Sequence, residues 1–148
     1  MKRLLLAVAI FISVMLPTPA KAFPLHCNVF ASNVSWMFPG SLYGHGTQQC
    51  SGTFIETEVG IQLQSHVKVT NWVLGFIPHS TYVWQTKARA SQRWGGYSQR
   101  IKIELKCFLN HRGPREQWRI VMTGQALRAD GMYGVSVRSL NENWWVCH

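Results

Sequence analysis

From Arg100 to Cys107 the chain reads RIKIELKC, an unbroken alternation of polar and apolar residues. Ile61, Leu63, Val67 and Val69 alternate in the same way with Gln62, Gln64, His66 and Lys68. A period of two sends successive side chains to opposite faces of a strand, so both stretches predict strands with one buried and one wet face. From Phe23 onward no segment sustains the 3.6-residue period of a helix. Short alternating segments separated by Gly, Pro and Asp-Gly signals predict an all-β chain, an antiparallel β-sandwich or flattened barrel.

The turn residues suggest particular pairings. Gly95-Gly96, within WGGY, suits a two-residue hairpin turn that needs positive φ. Folding there opposes Trp94 to Tyr97, Ala90 to Ile101, Ala88 to Ile103, Thr86 to Leu105 and Trp84 to Cys107, all on one inward face. The outward face then opposes Lys87 to Glu104, Arg89 to Lys102, Ser91 to Arg100 and Arg93 to Ser98. Asp130-Gly131 predicts a second hairpin, with Gly124 opposite Val137 and Ala126 opposite Val135, and with Trp118, Ile120 and Met122 facing inward. The segment Cys27 to Cys50, with Pro39-Gly40 and Gly44-His45-Gly46, reads as a long loop.

The first residues suggest where the chain works. Lys2 and Arg3 precede an apolar run, Leu4 to Leu16, that is short for a bilayer span. Pro17 and Pro19 end it, and Ala20-Lys21-Ala22 supplies small residues at the two positions read by signal peptidase. Residues 1–22 are read as a cleaved signal peptide and 23–148 as a single secreted domain without an integral membrane segment. Secreted, periplasmic or extracellular placement gives the cysteines their meaning. Cys27, Cys50, Cys107 and Cys147 are an even set in an oxidising compartment, which reads as two disulfides. Of the three pairings, Cys27–Cys50 and Cys107–Cys147 are favoured because each closes a self-contained half of the chain. The expected fold is a small disulfide-stapled one. No two cysteines are close in sequence and none has a histidine at finger spacing, so neither a metal site nor a cofactor is expected.

Removing Lys2, Arg3 and Lys21 from the fifteen Lys and Arg leaves twelve cations against six acids, a mature charge of +6. None of the twelve falls between Phe23 and Val67, and nine lie between Lys87 and Arg119. Lys87, Arg89, Arg93, Arg100 and Lys102, with Trp94 and Tyr97 at the hairpin tip, form the expected ligand surface. Arg89 opposite Lys102 is a costly like-charge pair, which argues for an anionic partner. Aromatic rings beside cations suit acidic sugars, lipid headgroups or single-stranded nucleic acid.

The last eight residues, NENWWVCH, place two tryptophans at a terminus. If Cys147 points inward to reach Cys107, alternation sends Trp145 inward and Trp144 to the other face, where it is either covered by a loop or a second layer or exposed as an aromatic platform for a ligand. Two apolar stretches remain, WMFPG at Trp36–Gly40 and NWVLGFIPH at Asn71–His79. The second reads first as a core strand with a Gly bend. Exposed, it would be a protein-binding or membrane-touching surface. Asn33 of Asn-Val-Ser matches a glycosylation sequon of eukaryotic secretion.

Signatures of serine or cysteine hydrolases, nucleotide-binding loops and zinc proteases are absent, so no catalytic residue is assigned. A small basic exported chain does have the profile of an extracellular ribonuclease, for which His66, Glu104 and His111 are the candidate acid–base groups. The main expectation is a secreted, non-enzymatic cationic module for an anionic surface, polysaccharide or other polyanion, its partner an anionic macromolecule or cell-surface component. The alternatives are a secreted basic nuclease-like toxin and an adhesin or inhibitor that binds a protein through Trp144 and the apolar loops.

Overall fold

Alternation alone leaves strand neighbours undetermined; the computed structural model supplies them. It describes residues 25–107, 115–128, 131–138 and 143–147. The proposed leader 1–22, His111 with most of the Arg-rich loop, Asp130 and His148 lie outside the described residues.

Among the described residues nine strands are present: β1 (His26–Ala31), β2 (Ser35–Met37), β3 (Ser41–Ser51), β4 (Glu56–Val73), β5 (Ile77–Trp94), β6 (Ser98–Lys106), β7 (Glu116–Arg128), β8 (Gly131–Arg138) and β9 (Asn143–Trp145). They form two antiparallel sheets. In the four-stranded sheet β3 is central, with β6 on one edge and β1 and β2 sharing the other. In the five-stranded sheet β4 lies between β5 and β7, and β7 carries β8 and β9 on its far side. The expected antiparallel sandwich is the fold observed.

Alternating residues of both sheets meet in the middle. Val59, Ile61, Leu63, Trp118, Ile120 and Met122 of the five-stranded sheet pack against Val29, Leu42, Ile101 and Ile103 of the other. Gly44 and Gly46 of β3 permit this approach, because a Cβ at either would collide with Ile120 or Met122. Here glycine is required by contact between sheets rather than by a turn. The segment from Cys27 to Cys50, read as a loop, is therefore three strands. Glycines that look like loop residues are strand residues chosen for their lack of a side chain.

Both disulfides have the favoured pairing. Cys27–Cys50 joins directly opposed residues of β1 and β3, and Cys107–Cys147 ties the end of β6 to the segment after β9, crossing between the sheets. Asn143 Nδ2 also donates to the carbonyl of Val34 at 2.8 Å, and Trp145 stacks on Trp36. The terminal tryptophans are held by three devices, one covalent.

Two predicted registers change. The Gly95-Gly96 segment does not close a hairpin: β5 pairs with β4 and β6 with β3, so the chain crosses there from one sheet to the other. Ala88, Ala90, Ile101 and Ile103 still face inward, because face-to-face packing of two sheets satisfies the same alternation as side-by-side pairing. In the β7–β8 pair the ladder is shifted by two residues from expectation. Gly124 opposes Val135 and Ala126 opposes Tyr133, with Gly131 already in the ladder opposite Arg128. An even shift preserves the facing, so hydrophobic pattern alone cannot detect it.

Candidate functional site

A β-bulge decides which side chains reach the outer face of the five-stranded sheet. Between Leu63↔Ala88 and Gln64↔Thr86 the register skips Lys87. An extra residue inverts the facing of everything beyond it. Trp84 and Thr86, expected inward, therefore point outward with Gln64 and His66. Lys87, left unpaired in the ladder, places its ammonium 3.1 Å from Gln85 Oε1.

The result is a row of side chains running across four strands. Trp84 of β5 opposes His66 of β4, His66 opposes Gln117 of β7, and Gln117 opposes Trp144 of β9. The row is about 14 Å long at the usual strand spacing. Its inner part is ordered by contacts. The His66 ring stacks on the Trp84 indole, with centroids 4.6 Å apart and 18° between planes, and Tyr82 flanks the same imidazole. His66 Nδ1 lies 3.0 Å from Gln117 Oε1; that acceptor requires the proton on Nδ1. The Arg119 guanidinium lies 3.9 Å from the centroid of the Trp84 ring, while its Nε donates to Gln64 Oε1 at 2.9 Å. Gln64 Nε2 and Thr86 Oγ1 both donate to Gln62 Oε1. Trp144 is 57% exposed, at the outer end of the row.

Two depressions adjoin it. An open cleft of about 390 Å³ is lined by Trp36, Arg115, Trp144, Trp145 and Val146. A smaller one of about 230 Å³ lies where Gly60 leaves the surface without a side chain, bordered by Gln62, Arg89 and Ser91. The whole face is thus built of indole and imidazole rings, carboxamides and guanidinium groups. The Glu58 carboxylate on it is engaged by Arg93 (Nε–Oε2 3.4 Å) and by Gln125.

The residues expected to form one cationic hairpin are distributed over three places. Arg89, Arg93 and Trp144 share the face just described. Trp94 and Tyr97 are exposed at the crossover between sheets, with Tyr97 edge-on to Phe54. Arg100 and Lys102 lie on the outer face of the other sheet, opposite Thr47 and His45. Arg89 is thus opposite Gln62, not Lys102, and the inferred like-charge pair does not exist. Glu104 accepts from Ser41 Oγ at 2.7 Å rather than meeting Lys87. His66, Gln117, Trp84 and Arg119 share an outer row that sequence reasoning did not bring together. Their outward alternation with Ser65, Trp118 and Ile120 was legible for three of them; the bulge hid Trp84.

The acid–base candidates also separate. His66 and Glu104 lie on opposite outer faces, and His111 is outside the described residues. His45 is the imidazole beside Arg100 and Lys102. Burial and then these two cations push its pKa below the ordinary 6.5, while its Nδ1 has no hydrogen-bond partner among the described residues. Because the folded pKa is depressed, the unfolded chain binds the proton first as pH falls. This contribution to stability is complete above about pH 6.5 and is lost as pH falls through the folded value. Melting temperature should therefore decline as pH is lowered from 7, less steeply in His45→Gln. An unchanged slope in the variant would assign the decline to other groups.

No family model and no curated protein matches the chain. Among solved structures, it is similar to the sporulation control protein Spo0M of Bacillus subtilis at 12% identity and a TM-score of 0.35, over 80% of this chain and 49% of that one. The chain thus spans about half the length of that structure, and a likeness of this degree carries no function.

Proposed function

We propose that this protein is an exported, non-enzymatic cationic module that binds an anionic polysaccharide along the outer face of its five-stranded sheet. The observation that carries this reading is the row Trp84–His66–Gln117–Trp144, with Arg119 set over Trp84. Sugar rings present apolar C–H faces to indole rings and hydroxyl groups to carboxamides, and their carboxylate or sulfate groups suit guanidinium forks. Side chains already fixed by stacking and hydrogen bonds lose little freedom on binding, so a broad shallow surface can hold a polymer. Export is supported by two disulfides, which persist in oxidising compartments. Among the described residues no helix is long and apolar enough to cross a membrane.

The test separates this face from net charge. Arg89→Glu with Trp144→Ala should lower affinity for a sulfated or uronic-acid polysaccharide by roughly tenfold or more, read as elution at lower salt. Arg100→Glu with Lys102→Glu removes as much positive charge or more from the opposite face and should shift elution far less. Equal losses in the two pairs would show that overall charge, not this face, holds the polymer. Cleavage of RNA by the wild type, lost in His45→Ala, would replace the binding reading with the nuclease one.

A further inference from the structure

The pairing of β4 with β7 ends at His66↔Gln117, yet β4 and β5 remain paired for seven more rungs, from Val67↔Val83 to Val73↔Ile77. They form a two-stranded ribbon about 23 Å long that leaves the body of the sandwich. Such a ribbon has no core to bury its side chains in, and most of its residues are exposed on both faces. Its tip is nonetheless apolar: Trp72, Val73, Leu74, Phe76 and Ile77 are all exposed, Leu74 at 78% and Phe76 at 71%. This is the stretch first read as a core strand. It is not one, because β4 and β5 run on past the last β7 rung and the stretch is exposed. Leu74 has φ 55°, in the left-handed region that Gly or Asn adopts at lower cost than leucine. A bulky apolar residue is thus kept at the apex against both solvent and backbone preference.

Polarity is zoned along the ribbon. The chain carries no Lys, Arg, Asp or Glu between Lys68 and Lys87. Behind the apolar tip comes a polar collar of Thr70, Asn71, His79, Ser80 and Thr81, with Thr70 and Ser80 joined by their hydroxyls. Behind the collar stand Tyr82, Trp84, Lys68 and Arg119. Apolar tip, polar collar, then aromatic rings and cations is the order of a surface that dips into the acyl boundary and meets lipid phosphates behind it.

From this order we infer that the β4–β5 ribbon tip docks on an anionic lipid bilayer. The tip enters the interface and Lys68 meets the headgroups. It does not span. Among the described residues no strand pairs with the outer edges of the ribbon, and the collar is polar on both faces, neither of which hydrocarbon tolerates. Penetration stops at about 5–10 Å, the depth of interfacial segments. The inner end of the ribbon adjoins the polysaccharide face at Trp84 and Arg119, but the tip residues take no part in that face, so variants at the tip test membrane docking apart from it.

Flotation of the intact domain with vesicles of phosphatidylcholine, alone or mixed with phosphatidylglycerol, tests the inference. The wild type should float with the mixed vesicles and less with phosphatidylcholine alone. Leu74→Asp with Phe76→Asp should lower vesicle partitioning by about tenfold or more while melting and polysaccharide retention stay unchanged. Leu74→Asn is the second variant. Asparagine adopts the left-handed turn readily, so stability should hold or rise while vesicle binding still falls several-fold. A wild type that does not float with either vesicle overturns the inference. So does a double variant that floats as well as wild type, since the cations alone would then suffice. Self-association of the wild type by ultracentrifugation, lost in the variants and without flotation, would reassign the tip to contact between copies.

Discussion

Replacing Cys107 and Cys147 together by alanine should lower the unfolding free energy by about 4 kcal/mol and weaken the proposed polysaccharide binding in the surviving folded fraction. The bridge closes a separation of 40 residues, for which the chain-entropy model gives that magnitude. It also holds β9, a strand of three residues whose other ties to the four-stranded sheet are the Asn143 bond to Val34 and the Trp145–Trp36 stack. Three residues of ladder cannot fix Trp144 against Gln117 alone, so loss of the bridge should release the outer end of the ligand row. Removing Cys27 and Cys50 should cost about 3 kcal/mol, because the separation is 23 residues, and should leave binding per folded molecule intact. The two strands it joins remain paired over six rungs without it. Loss of both bridges should unfold most of the population, since their sum is comparable to the whole stability of a small domain. Denaturant melts of the three variants, with retention corrected for folded fraction, provide the measurement. Equal binding loss from the two single-bridge variants would refute the role given to β9.

Trp118→Ala should destabilise by about 3–5 kcal/mol, whereas Trp144→Ala should cost less than about 1 kcal/mol and act on binding instead. Trp118 is 1% exposed and the largest fully buried side chain, in the cluster that includes Leu42, Leu63 and Ile120. Strands on both sides fix its walls, so a cavity there cannot collapse. Its indole Nε1 has no hydrogen-bond partner among the described residues, and a buried unpaired donor is costly. Trp118→Phe removes that donor along with some volume, so it should cost well under half of what alanine does. Thermal and urea melts of the three variants decide the matter. If Trp144→Ala proves as damaging as Trp118→Ala, the outer row is structural and the binding face loses its anchor.

Which residues face inward over most of the sandwich could be read from alternation, and the spacing of the cysteines favoured the pairing that is observed. Alternation in RIKIELKC and in Ile61–Val69 is enforced by the pleat, so it survives whatever neighbour a strand acquires. That is why Ala88, Ala90, Ile101 and Ile103 were placed inward correctly by a hairpin that does not exist. Trp144 and Trp145 likewise followed from counting back from Cys147.

Which strand lies beside which could be known only from the folded chain. A period of two carries no information about neighbours, and crossing between sheets at Gly95-Gly96 preserves every facing that a hairpin there would have produced. Yet the choice sends Arg89 and Lys102 to opposite sides of the protein. The bulge at Lys87 has no local signature either, since it depends on how β5 lies along β4, and it alone turns Trp84 onto the ligand face. Gly44 and Gly46 could be interpreted only once Ile120 and Met122 stood opposite them. The apolar stretch at Trp72–Ile77 had the composition of a buried strand. Its exposure follows from strand length: β4 and β5 outrun the β7 ladder by seven rungs, and among the described residues no other strand pairs with them there.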